Sequence, residues 1–190
     1  LPALDPLRDR ACAPLTGAVV EVGFGSGLNV DRYPPAVTSV TAIEPAELAW
    51  RRAAKRVAAS PVPIEREGLD GQRIPLPDSS FDCALSTFTL CTIPDVEAAL
   101  RELRRVVRPG GLLCFLEHGA APHAGVARWQ RRFDPVQQRL AGGCHLTRDI
   151  PALLVAAGWR LGEVERFYAP GTPRPWGAMW LGTALGGAAD

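Results

Sequence analysis

Three glycines crowd the segment Glu21-Val22-Gly23-Phe24-Gly25-Ser26-Gly27, directly after the β-branched run Ala18–Val22. Residues without a Cβ let a chain turn sharply at a strand end and let a ligand approach the backbone closely. A helix is expected to start after them, and its first N–H groups would be free to face an anion. A dinucleotide loop, G-x-G-x-x-G, needs its third glycine at position 28, which here is Leu28. The G-x-G-x-G spacing, with acidic Glu21 two residues ahead, better suits a loop that wraps an amino-acid moiety. Glu44 follows Gly23 by 21 positions, at the end of a second strand and before Pro45. In nucleotide-binding α/β folds a carboxylate about 20 residues on grips a ribose diol. Leu69-Asp70-Gly71 follows a third strand, beside the first two strand ends. There Asp70 would accept from an exocyclic amine, or else serve as the turn residue of an Asp-Gly pair. Asn29 and Thr87 are expected to line the same ligand, the first after the glycine loop and the second at the end of the fourth strand.

Acceptor chemistry points to the end of a fifth strand, at Glu117-His118. Neighbours in a strand face opposite ways, so only one of the two faces the site. His118 is the candidate for a general base or for a group that orients the acceptor. A hydrogen-bonded structural histidine is the alternative. Beyond it, Val126, Trp129, Phe133, Val136 and Leu140 recur at steps of three to four residues, flanked by Arg128, Arg131, Arg132 and Arg139. That stripe reads as a lid over an apolar acceptor, with Trp129 and Phe133 touching it. A membrane-surface helix and plain core packing are the alternatives. Cys144 and His145 come just after the stripe and are placed with the acceptor. No further Cys or His lies near them in sequence, so no metal site is expected.

The elements that must position these residues alternate between strand and helix signals, which predicts an α/β fold with a parallel sheet. Strands are expected at Ala18–Val22, Val37–Ile43, Val62–Glu65, Phe81–Phe88 and Leu112–Leu116, with helices at Ala46–Ala59 and Val96–Val107. Two short helices follow at Gly125–Phe133 and Pro135–Ala141, the second capped by Asp134. Another spans Asp149–Ala157, capped by Thr147. Arg160–Tyr168 and Ala178–Ala184 read as two closing strands, adjacent in sequence and so antiparallel. The chain of 190 residues, 47% hydrophobic, is expected to form one domain over residues 1–190, with a helical lid-like insert at about 123–148. Its 21 basic and 20 acidic residues give a net charge of +1, which excludes a protein built to coat nucleic acid. Five scattered cysteines without a C-x-x-C argue against a disulfide framework and point to a reducing, cytoplasmic setting. No apolar run reaches the ~18 residues needed to cross a bilayer, and no signal peptide is visible. The chain starts at Leu1 rather than Met, which leaves a preceding segment open.

With Ser80-Phe81-Asp82 and Arg108-Pro109-Gly110-Gly111 added, residues 19 to 116 resemble class I S-adenosylmethionine (SAM) methyltransferases, including the ubiquinone/menaquinone C-methyltransferases. The resemblance implies a Rossmann-like class I methyltransferase fold: a seven-stranded, mostly parallel sheet with a C-terminal antiparallel hairpin. It implies SAM as cofactor and S-adenosylhomocysteine as product. A narrower resemblance spans about residues 17 to 184, to the methyltransferase-like thiol S-methyltransferases and their bacterial homologues. Ser86 to Ile93, Glu117-His118-Gly119, Trp129-Gln130, Asp134-Pro135 and Gly142 to Arg148 carry it. It implies a small, apolar acceptor, with a thiol first. A carbon, oxygen or nitrogen acceptor of quinone or lipid-like kind is the runner-up. A SAM-binding module without catalysis and a nicotinamide-dependent oxidoreductase are the rivals from other classes. Many relatives carry Asp where this chain has Glu44, a change that should keep the ribose contact. Animal members carry an N-terminal membrane anchor that this sequence does not show, so peripheral membrane contact is not expected.

Overall fold

The computed structural model describes residues 4–68 and 70–187. Seven strands form one sheet in the order β3-β2-β1-β4-β5-β7-β6. They are β1 (Gly17–Val22), β2 (Val37–Ile43), β3 (Ile64–Gly68), β4 (Phe81–Thr87), β5 (Val107–His118), β6 (Trp159–Tyr168) and β7 (Ala178–Gly186). The first five pair in parallel, whereas β7 runs antiparallel to both β5 and β6, as the closing hairpin requires. The chain runs outward from β1 to β3 and then returns to β4 on the other side of β1. Such a reversal opens a crevice at the carboxyl ends of β1 and β4, where ligands of open α/β sheets bind.

Strand periodicity divides the core between the two faces of this sheet. Val19, Leu85, Cys114 and Leu116 pack on one face with Leu7, Ala11 and Ala53. Val20, Ala84, Leu113 and Phe115 pack on the other with Leu100, Leu103 and Leu154. Helix α2 (Glu47–Ala59) connects β2 to β3, and α3 (Val96–Val106) connects β4 to β5. Asp95 caps α3 by accepting from the Ala98 N–H at 2.9 Å. Among the described residues no helix is long and apolar enough to cross a membrane.

Helix α1 (Asp5–Cys12), which the sequence reading did not place, precedes the first strand. Three local expectations are corrected. After Gly27 no helix begins. The segment makes only a 3-10 turn at Val30–Arg32, so no helix N-terminus faces the glycine loop. The two short helices around Pro135 are one, α4 (Ala124–Leu140). A proline inside a helix gives up one backbone bond. Asp134 does not cap there but accepts from the Leu146 N–H at 2.7 Å and from Gln138 Nε2 at 2.7 Å, pinning the helix to the following loop. Finally, α5 (Ile150–Ala156) is capped by Asp149, which accepts from the Ala152 N–H at 3.1 Å, while the Thr147 hydroxyl lies 3.4 Å from Asp134.

Candidate functional site

At the crevice the three loop glycines all have positive φ: 71° at Gly23, 60° at Gly25 and 72° at Gly27. A side chain on Gly23 would stand 1.9 Å from Thr89 Oγ1, so the close approach of β1 and the β4 loop requires glycine there. Gly25 is different. A Cβ there would meet only the Gly23 carbonyl at 3.8 Å and would otherwise point into open space above the loop. The space beside the loop is a cavity of about 610 Å³, lined among others by Gly23, Glu44, Pro45, Asp70, Phe88 and Thr89. That volume is in the range for small-molecule sites, ~300–1,000 Å³.

Glu44 ties the loop to the end of β2. Its Oε2 accepts from the Gly25 N–H at 2.6 Å and its Oε1 from the Ala46 N–H at 2.7 Å. Each carboxylate oxygen keeps further acceptor capacity toward the cavity. Asp70, also in the cavity lining, accepts from the backbone and side-chain N–H groups of Gln72 at 2.8 and 3.0 Å. Those bonds hold its carboxyl below the usual range, the side-chain bond first. It is both a turn residue and a cavity residue. Leu69 lies outside the described residues.

Glu21, Asn29 and Thr87 form a buried floor under the loop rather than a surface of it. Asn29 Nδ2 donates to Glu21 Oε1 at 2.8 Å and to Thr87 Oγ1 at 3.0 Å. The Tyr33 hydroxyl donates to Glu21 Oε2. Arg8 of α1 donates to Asn29 Oδ1 at 2.8 Å and to Thr87 Oγ1 at 2.9 Å, and its guanidinium lies 5.0 Å above the Phe88 ring. Phe24 is also buried, with its ring 5.4 Å from that of Trp50, so it meets the cavity side only through its backbone. Burial pushes the Glu21 carboxyl up to about 7, against the hydrogen bonds from Tyr33 and Asn29 that favour its ionised form. A carboxyl that holds its proton up to about 7 when folded, but only into the ordinary range of ~4.5 when unfolded, makes the folded state bind more protons in between. Its contribution to stability is therefore present below about 4.5 and lost as pH rises to about 7. Glu21→Gln should accordingly gain roughly 1–3 kcal/mol on the parent protein between pH 5 and pH 8. Urea unfolding of both proteins at the two pH values checks this; a constant difference contradicts it.

At the far end of the site Glu117 and His118 face opposite ways. Glu117 is fully buried, and its oxygens accept from Ser86 Oγ (2.7 Å) and from the N–H groups of Thr89, Leu90 and Cys91 (3.0–3.1 Å). Burial raises its pKa despite these bonds. The His118 ring packs 4.9 Å from Phe88, and its Nδ1 lies 3.9 Å from the Sγ atoms of both Cys91 and Cys144. The two sulfurs are 3.6 Å apart. Contact with the Cys91 thiol, followed by His118, lowers the Cys144 thiol, whereas contact with Cys144 and burial push Cys91 up.

The expected acceptor residues do not stay together. His145 turns away from Cys144 toward Gln138 and Asp134, at 3.0 and 3.4 Å. Trp129 and Phe133 stack at 4.2 Å on the outside of α4, with Phe133 40% exposed and Leu140 82% exposed. They line neither the cavity nor the core. The reason lies in two polar anchors: Gln130 bonds the Ala121 N–H and the Gly119 and Pro175 carbonyls, and Asp134 bonds the Leu146 N–H. These turn the polar side of α4 inward. Sequence reasoning missed Arg8, Tyr33 and Cys91 as parts of this region. Only Cys91 carried a signal, through the segment Ser86 to Ile93.

This sheet order with its reversed last pair, and a glycine loop bonded to a carboxylate at the end of β2, define a class I SAM-dependent methyltransferase. The family model described as a methyltransferase domain matches residues 20–115, and the chain belongs to that family. It is 34% identical over 174 residues to thiol S-methyltransferase TMT1B of Homo sapiens, covering 88% of this chain and 70% of that protein. It is 32% identical over 124 residues to phosphatidylethanolamine N-methyltransferase of Cereibacter sphaeroides, covering 62% of this chain and 60% of that one. The crystal structure of the [4+2]-cyclase SpnF superposes with a TM-score of 0.76 at 20% identity, over 97% of this chain and 81% of that one. A neighbour named as a cyclase has the same fold, so the sheet alone does not fix the reaction. SAM is the cofactor, and the cavity lined by Gly23 and Glu44 has the size to hold it.

Proposed function

We propose that the chain transfers the SAM methyl group to the sulfur of a small apolar thiol. The observation that carries this reading is the chemistry at the end of β5. Phe88, Cys91, His118 and Cys144 are aromatic, soft or weakly basic, and the nearby carboxylate, Glu117, has both oxygens engaged inside the core. An amine acceptor needs a free acceptor group to hold and strip its N–H. A thiol, with an ordinary pKa of ~8.5, needs little more than positioning. The similarity to a thiol S-methyltransferase over most of the chain supports it.

On this reading Gly23, Gly25, Gly27 and the Phe24 backbone hold the amino-acid part of SAM. Glu44 takes the ribose hydroxyls, with Pro45 setting the turn behind it. Asp70 faces the adenine. Glu21, Asn29 and Thr87 support the loop from below, together with Arg8. His118 holds the reacting end of the acceptor. Bound SAM supplies the electrophilic methyl group on its sulfonium, so the residues of the chain position a nucleophile and exclude water. A reducing, cytoplasmic setting suits the five free cysteines.

The second reading is an amine acceptor of lipid type, favoured by the similarity to the Cereibacter enzyme. A series of straight-chain thiols and amines tests the choice. For thiols, kcat/KM is expected to rise up to about 4-fold per added CH2, the worth of burying one at ~0.8 kcal/mol. A flat thiol series beside a rising amine series favours the second reading.

A further inference from the structure

We infer that Cys91, His118 and Cys144 form a three-ligand site for a soft divalent cation of the zinc class, with the fourth position open to the acceptor sulfur. The three come from separate places: the loop after β4, the end of β5 and the loop after α4. Sequence spacing excluded a metal because Cys144 has only His145 beside it. The fold discards His145 and brings in two residues from 26 and 53 positions away instead. Their ligand atoms all lie within 4.8 Å of one another.

The geometry is that of a tetrahedral ion. Zinc bonds of ~2.3 Å to sulfur and ~2.0–2.1 Å to nitrogen place two sulfurs about 3.8 Å apart and sulfur and nitrogen about 3.5 Å apart. The separations here are 3.6 Å between the sulfurs and 3.9 Å from each to Nδ1. Shifts of a few tenths of an ångström complete the site. A disulfide fits less well: the sulfurs would have to close to ~2.05 Å, and His118 would have no part in it.

The backbone around the ligands is held in place. The Cys91 N–H donates to Glu117 Oε2 at 3.1 Å, and the Cys91 carbonyl accepts from the His145 N–H at 2.7 Å. The Cys144 N–H donates to the Ala141 carbonyl at 3.1 Å, and Arg148 donates to the Leu90 carbonyl. Two thiolates would cancel the charge of a divalent cation in a spot where both cysteines are buried. Two Cys and one His is also the ligand count of a catalytic zinc, whereas structural sites close with four.

The use of such a site rests on the thiol-acceptor reading. The acceptor thiol would bind as thiolate, its proton leaving to solvent. Its sulfur lone pair would form the new S–CH3 bond as the sulfonium C–S bond of SAM breaks. The electrons of that bond return to sulfur in S-adenosylhomocysteine.

Cobalt(II) is the probe. The full chain, reduced, stripped with chelator and kept without oxygen, is expected to bind one equivalent. Thiolate-to-cobalt absorption in the near ultraviolet and tetrahedral visible bands should appear, and zinc should displace them. Cys91→Ser, Cys144→Ser and His118→Ala should each weaken binding at least tenfold. Cys83→Ala, whose sulfur lies in the core beside Thr16, should not. Circular dichroism confirms that each variant is folded, and the parent titration stands even if one is not. A reduced parent that binds no cobalt overturns the site, and so does equal loss in Cys83→Ala. Cobalt binding without thiol methylation supports the site and sinks only the thiol reading. Thiol methylation without cobalt or zinc binding does the reverse.

Discussion

Replacing His118 by alanine is expected to lower turnover on a thiol by about 100-fold while SAM affinity stays as it was. His118 is the last residue of β5, paired with Met179 of β7, so the sheet fixes its backbone. Its ring is wedged between Phe88, which lines the cavity, and the sulfurs of Cys91 and Cys144. A group that holds the nucleophile contributes through alignment, and misplacement by about 1 Å alone costs roughly 100-fold. SAM affinity should not move, because the loop glycines, Glu44 and the Glu21 floor make no hydrogen bond to this ring. Single-turnover rates at saturating SAM, with calorimetry for the cofactor, separate the two quantities. Full turnover in His118→Ala removes the residue from the reacting end; equal loss of SAM binding would make it structural instead.

Glu44→Ala is expected to weaken SAM binding by roughly 10- to 150-fold. That matches the ~1.5–3 kcal/mol of hydrogen bonds made to a charged group. Two losses combine. The ribose hydroxyls lose their acceptor, and the N–H groups of Gly25 and Ala46, now bonded to the carboxylate at 2.6 and 2.7 Å, lose theirs. Glu44→Gln discriminates between them. It keeps the volume and one oxygen but turns an NH2 group against one of those N–H groups, so it should bind more tightly than alanine and less tightly than the parent. Calorimetric titration of both variants is the check. Parent-like affinity in Glu44→Ala takes Glu44 out of the cofactor site.

Local chemistry made much of this legible. The turn at Gly23 to Gly27 and the apolar run of β4 each show within a few residues. The site features that escaped are long-range. Arg8 reaches Thr87 across 79 positions, and nothing in a short charged helix announces that its arginine will cover a buried glutamate. Glu21 looked like a ligand contact from its place ahead of the glycines, yet its side chain points into the floor, where Asn29 and Tyr33 meet it. The Trp129–Phe133 stripe had helical spacing, and spacing does not say which side turns outward. Gln130 and Asp134 decided that by taking partners in the neighbouring loops. Cys91, His118 and Cys144 come together only because β4 and β5 are neighbours and the loop after α4 folds back over their ends.

The most direct test of the thiol reading is methyl transfer from methyl-labelled SAM to matched thiol, amine, phenol and carbon-acid acceptors of equal apolar bulk. The expected result is label in the thioether, formed together with S-adenosylhomocysteine in equal amounts, with the other acceptors at least tenfold slower. Label carried to the amine, phenol or carbon acid while the thiol stays unmethylated would contradict it.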